Sequence, residues 1–384
     1  PCATIDGGYK YSRQNKGLGN QRMKAGDIVY SLGVIESDKT DSKIQVGMFL
    51  RSLKGTKNNP ISIVAYPNTR PVVSAGNWGV KPYKSSHINI SKYAIEVGHV
   101  PTSNPVDAGA PAESNNHIAA AQGRYVGNLM TQIQGTCFTG WSGAITTHGN
   151  GGDNMKSYGN HIKELGCANS SRYQHTIYLS NRVVGEYIQG WDFSHNRLES
   201  NDVFFGIHMY DQTLYGDPVH TDCHWDVAGT IKVTHNVVEN QRGAGINIAT
   251  KDNAGDKNTC WTADIVITDN KLINVGIGKP QEDNVTNADA IRVTGQLGAS
   301  QVNISNNIIY GYGNSDSWDN DDGHAIVVDL SIANPNVIIE NNSITQTQVN
   351  DRMFWVFINE EYEATNNTFY NEILKENTAK PEGF

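Results

Sequence analysis

The stretch Ile231-Lys232-Val233-Thr234-His235-Asn236 decides the fold, because the chain writes it again three times. It returns as Ile265-Val266-Ile267-Thr268-Asp269-Asn270, as Val302-Asn303-Ile304-Ser305-Asn306-Asn307 and as Val337-Ile338-Ile339-Glu340-Asn341-Asn342. Each copy alternates in the two-residue period of a strand and ends on asparagine. Looser copies end at Asn128, Asn160, Asn196 and Asn367, so eight asparagines recur at intervals of 32, 36, 40, 34, 37, 35 and 25 residues. A period of that size with variable insertions marks a solenoid. Helical repeats of similar length would carry an apolar stripe at 3.6-residue spacing, which these units lack. Asparagine tolerates the left-handed backbone of a sharp corner, and stacked copies hydrogen-bond from coil to coil. The units therefore read as coils of strand joined by an internal asparagine ladder.

Coils of this kind grow by addition to one continuous core, so 384 residues make one elongated all-β domain, a parallel β-helix, rather than two domains. The sequence divides into an N-terminal cap to about residue 30, coils over about 31–370 and a tail over about 371–384. The opening segments are Ala25-Gly26-Asp27-Ile28-Val29-Tyr30, Gly55-Thr56-Lys57-Asn58-Asn59-Pro60-Ile61-Ser62-Ile63 and Arg70-Pro71-Val72. With the ladder, they resemble the first coils of right-handed parallel β-helix polysaccharide lyases, the pectate-lyase-like and chondroitinase- or alginate-lyase-like proteins. The resemblance covers about residues 25–370. It implies a right-handed β-helix with long loops on one side and an enzyme acting on polysaccharide.

Composition bounds the partners. A net charge of −9 argues against nucleic acid, whose footprint is a basic surface. No run approaches the roughly 18 apolar residues of a membrane span. The chain opens at Pro1-Cys2 without a basic and apolar leader, which fits the mature form of an exported protein. Cys137 and Cys167 lie 30 apart and Cys223 and Cys260 lie 37 apart. Each gap is about one coil, so each pair could bridge neighbouring coils, which implies an oxidising compartment; buried free thiols are the alternative. Cys2 is left over. The expectation is a secreted or extracellular, or periplasmic, monomer.

A second strand recurs in every coil as small-Ile-x-apolar, around Ile145, Ile177, Ile207, Ile246, Ile291 and Ile326. Stacked in register, the isoleucines form an inward column and the residues two further on a second one. The alternate positions then face solvent. One outward column reads Thr146, Tyr178, His208, Asn247, Arg292, Val327; the next reads His148, Ser180, Tyr210, Ala249, Thr294, Asp329; a third adds Arg182, Gln212 and Lys251. An idle face would carry Thr, Ser, Lys and Glu, whereas this one gathers His, Tyr, Asn and Arg. The bland alternative is a polar face whose histidines bond only their neighbours. The long connections over 211–230, 250–264 and 275–289 leave this strand and carry Trp225 and Trp261, aromatic faces suited to pyranose rings.

β-Elimination on a uronic-acid polymer needs a base for the C5 proton, an acid for the leaving O4 and a group that neutralises the carboxylate. His208 is the expected base, with Tyr210 or Tyr178 as acid and His148 at the carboxylate or as a substitute base. Asn247 and Arg292, with Arg182 or Lys251, supply the neutralising contacts. Hydrolysis needs paired carboxyls at the cleft, and these columns offer only Asp329, with Asp211 and Asp252 at strand exits. A C5-epimerase would use the same residues, although the Asp-Pro-His segment of the β-helix mannuronan epimerases is missing. A carbohydrate-binding adhesin or tailspike-like module is the non-enzymatic alternative. The sequence requires no cofactor. β-Helix lyases that pair Lys or Arg bases with calcium are the pattern from which this chain departs; Asp316, Asp319, Asp321 and Asp322 could hold Ca2+, although they lack regular alternate-ligand spacing, and a solvated loop is the alternative. His220, Cys223 and His224 lack the helix that would make His-x-x-x-His a zinc site, so no metal is assigned.

Overall fold

The structure is a computed structural model that describes residues 23–36, 46–51, 53–76, 78–83, 85–98, 122–135, 143–146, 154–166, 174–181, 186–211, 225–250, 263–277, 288–295, 301–313, 323–330, 336–347, 352–357, 363–371 and 376–378. Among these there is no helix. The strands stack as a β-solenoid of three long sheets, one of 11 strands, one of 12 and one of 7, beside a two-stranded pair formed by Val46–Arg51 and Trp78–Tyr83. The first sheet runs from Ile28–Ser31 to Glu363–Thr365, the second from Val34–Glu36 to Thr368–Asn371, and the third from Ile145–Thr146 to Arg352–Phe357. Every strand of the third sheet pairs in parallel with the equivalent strand one coil away. The second sheet ends differently. Glu376–Thr378 turns back antiparallel on Thr368–Asn371 and covers that open edge.

The ladder is continuous through all eight asparagines. In its middle, the Asn236 side-chain amide donates to the Phe193 carbonyl at 2.8 Å and to Asn270 Oδ1 at 3.0 Å. The Asn236 backbone N–H reaches that same Oδ1 at 2.9 Å. The pattern repeats from Asn128 to Asn160 and, at the far end, from Asn342 to Asn367. One detail differs from the sequence reading. The left-handed residue is the one before each ladder asparagine: Gly127, Gly159, His195, His235, Asp269, Asn306, Asn341 and Asn366, all with φ between 54° and 62°. The ladder asparagine keeps ordinary backbone angles because its amide must point inward along the stack, while the corner is turned one residue earlier.

The core follows the period-two alternation. Ile145, Ile177, Ile207, Ile246, Ile291 and Ile326 pair rung to rung and are buried in one continuous apolar cluster. Leu179, Met209, Ile248, Val293 and Val328 form the adjoining column. In the opening coils, Gly26 N–H donates to the Asn59 carbonyl at 3.0 Å and Ser62 N–H to the Asp27 carbonyl at 2.9 Å. Gly55 is required there, because a Cβ would stand 2.4 Å from the His87 carbonyl oxygen.

Candidate functional site

The third sheet brings the expected columns into register. Tyr178 pairs with His208, His208 with Asn247, Asn247 with Arg292 and Arg292 with Val327. In the next column Ser180 pairs with Tyr210, Tyr210 with Ala249, Ala249 with Thr294 and Thr294 with Asp329. Successive rungs lie about 4.8 Å apart, so these positions are neighbours although 30 to 45 residues separate them in sequence. Trp225 opens the strand Trp225–Thr234 in the first sheet, against Glu186, instead of lying in a loop beside this face. His148, Arg182, Gln212, Lys251 and Trp261 lie outside the described residues, as do Asp252, the five cysteines, the His220–His224 group and the acidic stretch 316–322.

Exposure is where the face departs from expectation. His208 is only 6% exposed and Asn247 4%, and Tyr178, Ala249 and Val327 are buried as well. Among the described members, Thr146, Tyr210, Arg292, Thr294 and Asp329 are half-buried. The face is roofed by aromatic side chains that precede its own strands. Phe204, Phe205 and Ala244 form a second apolar cluster, separate from the solenoid core. The Phe205 ring lies 4.6 Å from His208 and the His175 ring 4.7 Å from it, centroid to centroid. Tyr178 and Tyr210 stack on either side of His208, each at 5.3 Å.

Burial changes what His208 can do. The Asn247 side-chain amide donates to His208 Nδ1 at 2.9 Å, shorter than the 3.3 Å from that nitrogen to the Asn247 carbonyl. Loss of hydration pushes the imidazole down to about 3, only partly opposed by the Asn247 backbone contact. His175 is also held well below its usual value, by burial first and by the neighbouring His208 charge second. Both rings are therefore neutral at neutral pH and weakly basic. Burial thus removes the basis on which His208 was expected to abstract a C5 proton. Asn247 Oδ1 and His175 Nδ1 are buried here without a hydrogen-bond partner.

One coil beyond Asn247 the chemistry becomes ionic. Asp289 is 0% exposed. Its Oδ2 accepts from Arg292 Nη1 at 2.8 Å, and its Oδ1 accepts from the His324 backbone N–H at 2.9 Å and from His324 Nδ1 at 3.2 Å. Burial alone would raise the Asp289 carboxyl, but the His324 hydrogen bonds and the Arg292 charge outweigh it and hold the group below the usual carboxylate value. His324 is 3% exposed, whereas the Arg292 side chain is 27% exposed. Arg292 is thus the member of this trio that reaches the surface.

No family model and no curated protein matches the sequence. Among solved structures, the chain is similar to the GH136 lacto-N-biosidase from Eubacterium ramulus. Its selenomethionine derivative gives a TM-score of 0.43 at 13% identity, covering 92% of this chain and 63% of that one. The native form gives 0.37 at 12% identity, covering 91% and 63%. The PL6 family alginate lyase AlyGC gives 0.34 at 11% identity, covering 97% and 54%. The chain spans less than two thirds of the length of each of these proteins.

The third sheet thus carries two halves. A neutral ring stack spans the coils of Tyr178, His208 and Tyr210, and a charge-compensated trio spans the next two coils beyond Asn247. Tyr210 and Arg292 sit two rungs apart, about 10 Å along the stack, too far to act on the same two atoms of one sugar. Sequence reading missed Asp289, His324 and His175, yet a signal existed. The position two residues before each inward Ile, or before Phe354, reads Gly143, His175, Phe205, Ala244, Asp289, His324 and Arg352. Period two would send that position into the core, so an ionisable residue there demands a partner on the next rung.

Proposed function

We propose that this protein is a polysaccharide lyase that cleaves a uronic-acid-containing polymer by β-elimination outside the cell. The observation that carries this reading is Arg292. It stands half-buried in the outward column, with one guanidinium nitrogen held by the fully buried Asp289 at 2.8 Å. A guanidinium has five N–H donors in a fixed fork, so the remaining donors suit the planar carboxylate of a uronate. Neutralising that carboxylate lowers the cost of the carbanion formed when the adjacent C5 proton leaves. Of the neighbouring rings only Tyr210 is half-buried, so it is the one that could meet an adjoining sugar, while Tyr178 and His208 hold it from beneath.

The test is incubation with alginate, pectate, glucuronan and glycosaminoglycans, reading the ultraviolet absorbance of the unsaturated uronate. One polymer is expected to give a steady rise. Arg292→Ala should raise KM and lower kcat/KM by about 100-fold, as expected when a charge-assisted contact worth about 3 kcal/mol is removed. A flat trace with every polymer, from a protein whose circular dichroism shows intact strands, would refute elimination. Exchange of the C5 hydrogen for deuterium without that absorbance would identify an epimerase instead.

A further inference from the structure

We propose that the outward face of the first sheet is a second polysaccharide-binding surface, a track on which Arg124, Lys156 and Lys232 hold the carboxylates of an acidic polymer while the third sheet works on it. The uronate as ligand rests on the function proposed above; the track itself rests on the first sheet alone.

Register fixes the row. Asn89 pairs with Arg124, Arg124 with Lys156, Lys156 with Asp192, Asp192 with Lys232 and Lys232 with Val266. Three cations and one acid therefore occupy four successive rungs, about 14 Å of the solenoid axis. Arg124 and Lys156 are half-buried and Lys232 is exposed, so all three reach the surface. A rung spacing of about 4.8 Å is close to the length of one pyranose unit in an extended chain, so carboxylates on successive sugars can meet successive rungs.

Two features separate this row from an ordinary solvated face. The first is unrelieved repulsion. Like charges directly opposite one another on neighbouring strands are unfavourable, and Arg124 and Lys156 stand in that relation. On the second sheet the cations are paired: Arg197 bonds Glu199 and Glu239, Lys163 bonds Glu164 and His161 faces Glu199. No carboxylate among the described residues forms an ion pair with Arg124, Lys156 or Lys232. The second feature is the engagement of the row's own acid. Asp192 Oδ2 accepts from the Tyr158 hydroxyl at 2.8 Å and Oδ1 accepts from the Ser194 hydroxyl. Burial first, and then the Asp192 hydrogen bond, push the Tyr158 phenol up, so it keeps its proton and remains the donor. Asp192 is thus held by the neighbouring column. Three positive charges against one negative leave an excess of cations on a chain whose net charge is −9. Such a chain repels a polyanion as a whole, and a local cationic strip is where one can settle.

The track lies beside the third sheet's own coils. The strand of Lys156 precedes that of Tyr178, the strand of Asp192 that of His208, and the strand of Lys232 that of Asn247. A polymer held on the first sheet is therefore kept at high local concentration for the third.

Electrophoresis through gels containing alginate, pectate, neutral dextran or duplex DNA measures binding by the wild type and by a triple variant, Arg124→Gln with Lys156→Gln and Lys232→Gln. The expected result is retardation by a polyuronate and none by dextran, weakened at least about tenfold in the triple variant, as three exposed charge pairs would give. Added salt should abolish it. The same loss is expected when the three changes are made in Arg292→Ala, which also slows consumption of the polymer. A loss that vanishes in that background would assign the cations to the third-sheet site and overturn the inference. Equal retardation of wild type and triple variant overturns it and leaves the lyase reading standing. A tenfold loss with no absorbance from any polymer supports the track and sinks the lyase reading. Retardation by duplex DNA equal to that by polyuronate, or none by any polyuronate, overturns the assignment to polysaccharide. Urea unfolding checks the fold: removing the Arg124 and Lys156 repulsion should hold or raise the midpoint, and a lower midpoint would mark these cations as structural and overturn the inference.

Discussion

Replacing Asn236 by alanine tests the ladder at its middle. Four hydrogen bonds disappear: the side-chain amide's bonds to the Phe193 carbonyl and Asn270 Oδ1, and the two that Asn236 Oδ1 accepts from the Asn196 backbone and side chain, at 2.9 and 3.0 Å. The losses are unequal. The Asn196 side-chain nitrogen keeps its bond to Ser157 O at 3.0 Å, and Asn270 Oδ1 keeps the Asn236 backbone N–H. The Asn196 backbone N–H keeps nothing in the ladder and is left buried. Four bonds at a net of roughly 1 kcal/mol each give about 4 kcal/mol, and the stranded N–H alone would cost 1–3 kcal/mol. Asn367→Ala is the internal control. It removes one donated bond and the two accepted from Asn342, at an end where water can take over, so about 1 kcal/mol is expected. Urea unfolding followed by circular dichroism gives the overall loss. Because a solenoid's stability is a sum over neighbouring coils, limited proteolysis mapped by mass spectrometry should show new cuts near Asn196 and Asn236 before others. A loss below about 1 kcal/mol for Asn236→Ala, or one equal to that of Asn367→Ala, would refute the claim that the amides hold the coils together.

Two further outcomes follow from the third sheet. Buried, neutral His208 resists protonation until about pH 3, whereas the unfolded chain takes up that proton near 6.5. Its contribution is therefore complete above about pH 6.5 and is lost as pH falls towards 3, at roughly 1.4 kcal/mol per pH unit. Urea midpoints between pH 7 and 4 should fall steeply in the wild type and less steeply in His208→Gln, and parallel slopes would contradict the burial. Gly243→Ala would put a Cβ 1.3 Å from the Phe204 carbonyl oxygen, so Phe204 and Phe205 must shift off His208. Near-ultraviolet circular dichroism should lose its ring-cluster signal in that variant, with a destabilisation above about 3 kcal/mol. An unchanged spectrum would show that the roof over His208 is not rigid.

The sequence disclosed whatever depends on spacing. Eight asparagines and six isoleucines at coil intervals sufficed to place Tyr178, His208, Asn247 and Arg292 on successive rungs, since parallel pairing converts a sequence interval into a rung. Exposure was hidden because period two distinguishes only the core side of a strand from the other side. It says nothing about what lies over that other side. Here Phe204 and Phe205, four and three residues before His208, fold across it. Asp289 was hidden for the opposite reason. Its position in the repeat reads as inward and apolar, and only the pairing with Arg292 and His324 makes a buried carboxylate tolerable there.

Two histidines of one sheet therefore acquire different chemistry from their neighbours rather than from their place in the repeat. His208 sits in the outward column and is surrounded by rings and an amide, so burial costs it basicity with no return. His324 sits in the column that period two assigns to the core, yet it meets a carboxylate that is itself balanced by Arg292. Burial without a counter-charge disfavours the charged imidazole, whereas a carboxylate fixed at Nδ1 orients the ring and can take a hydrogen bond from it. The charged chemistry of this sheet therefore starts two coils further along than His208, at Arg292, the guanidinium that would hold the substrate's carboxylate.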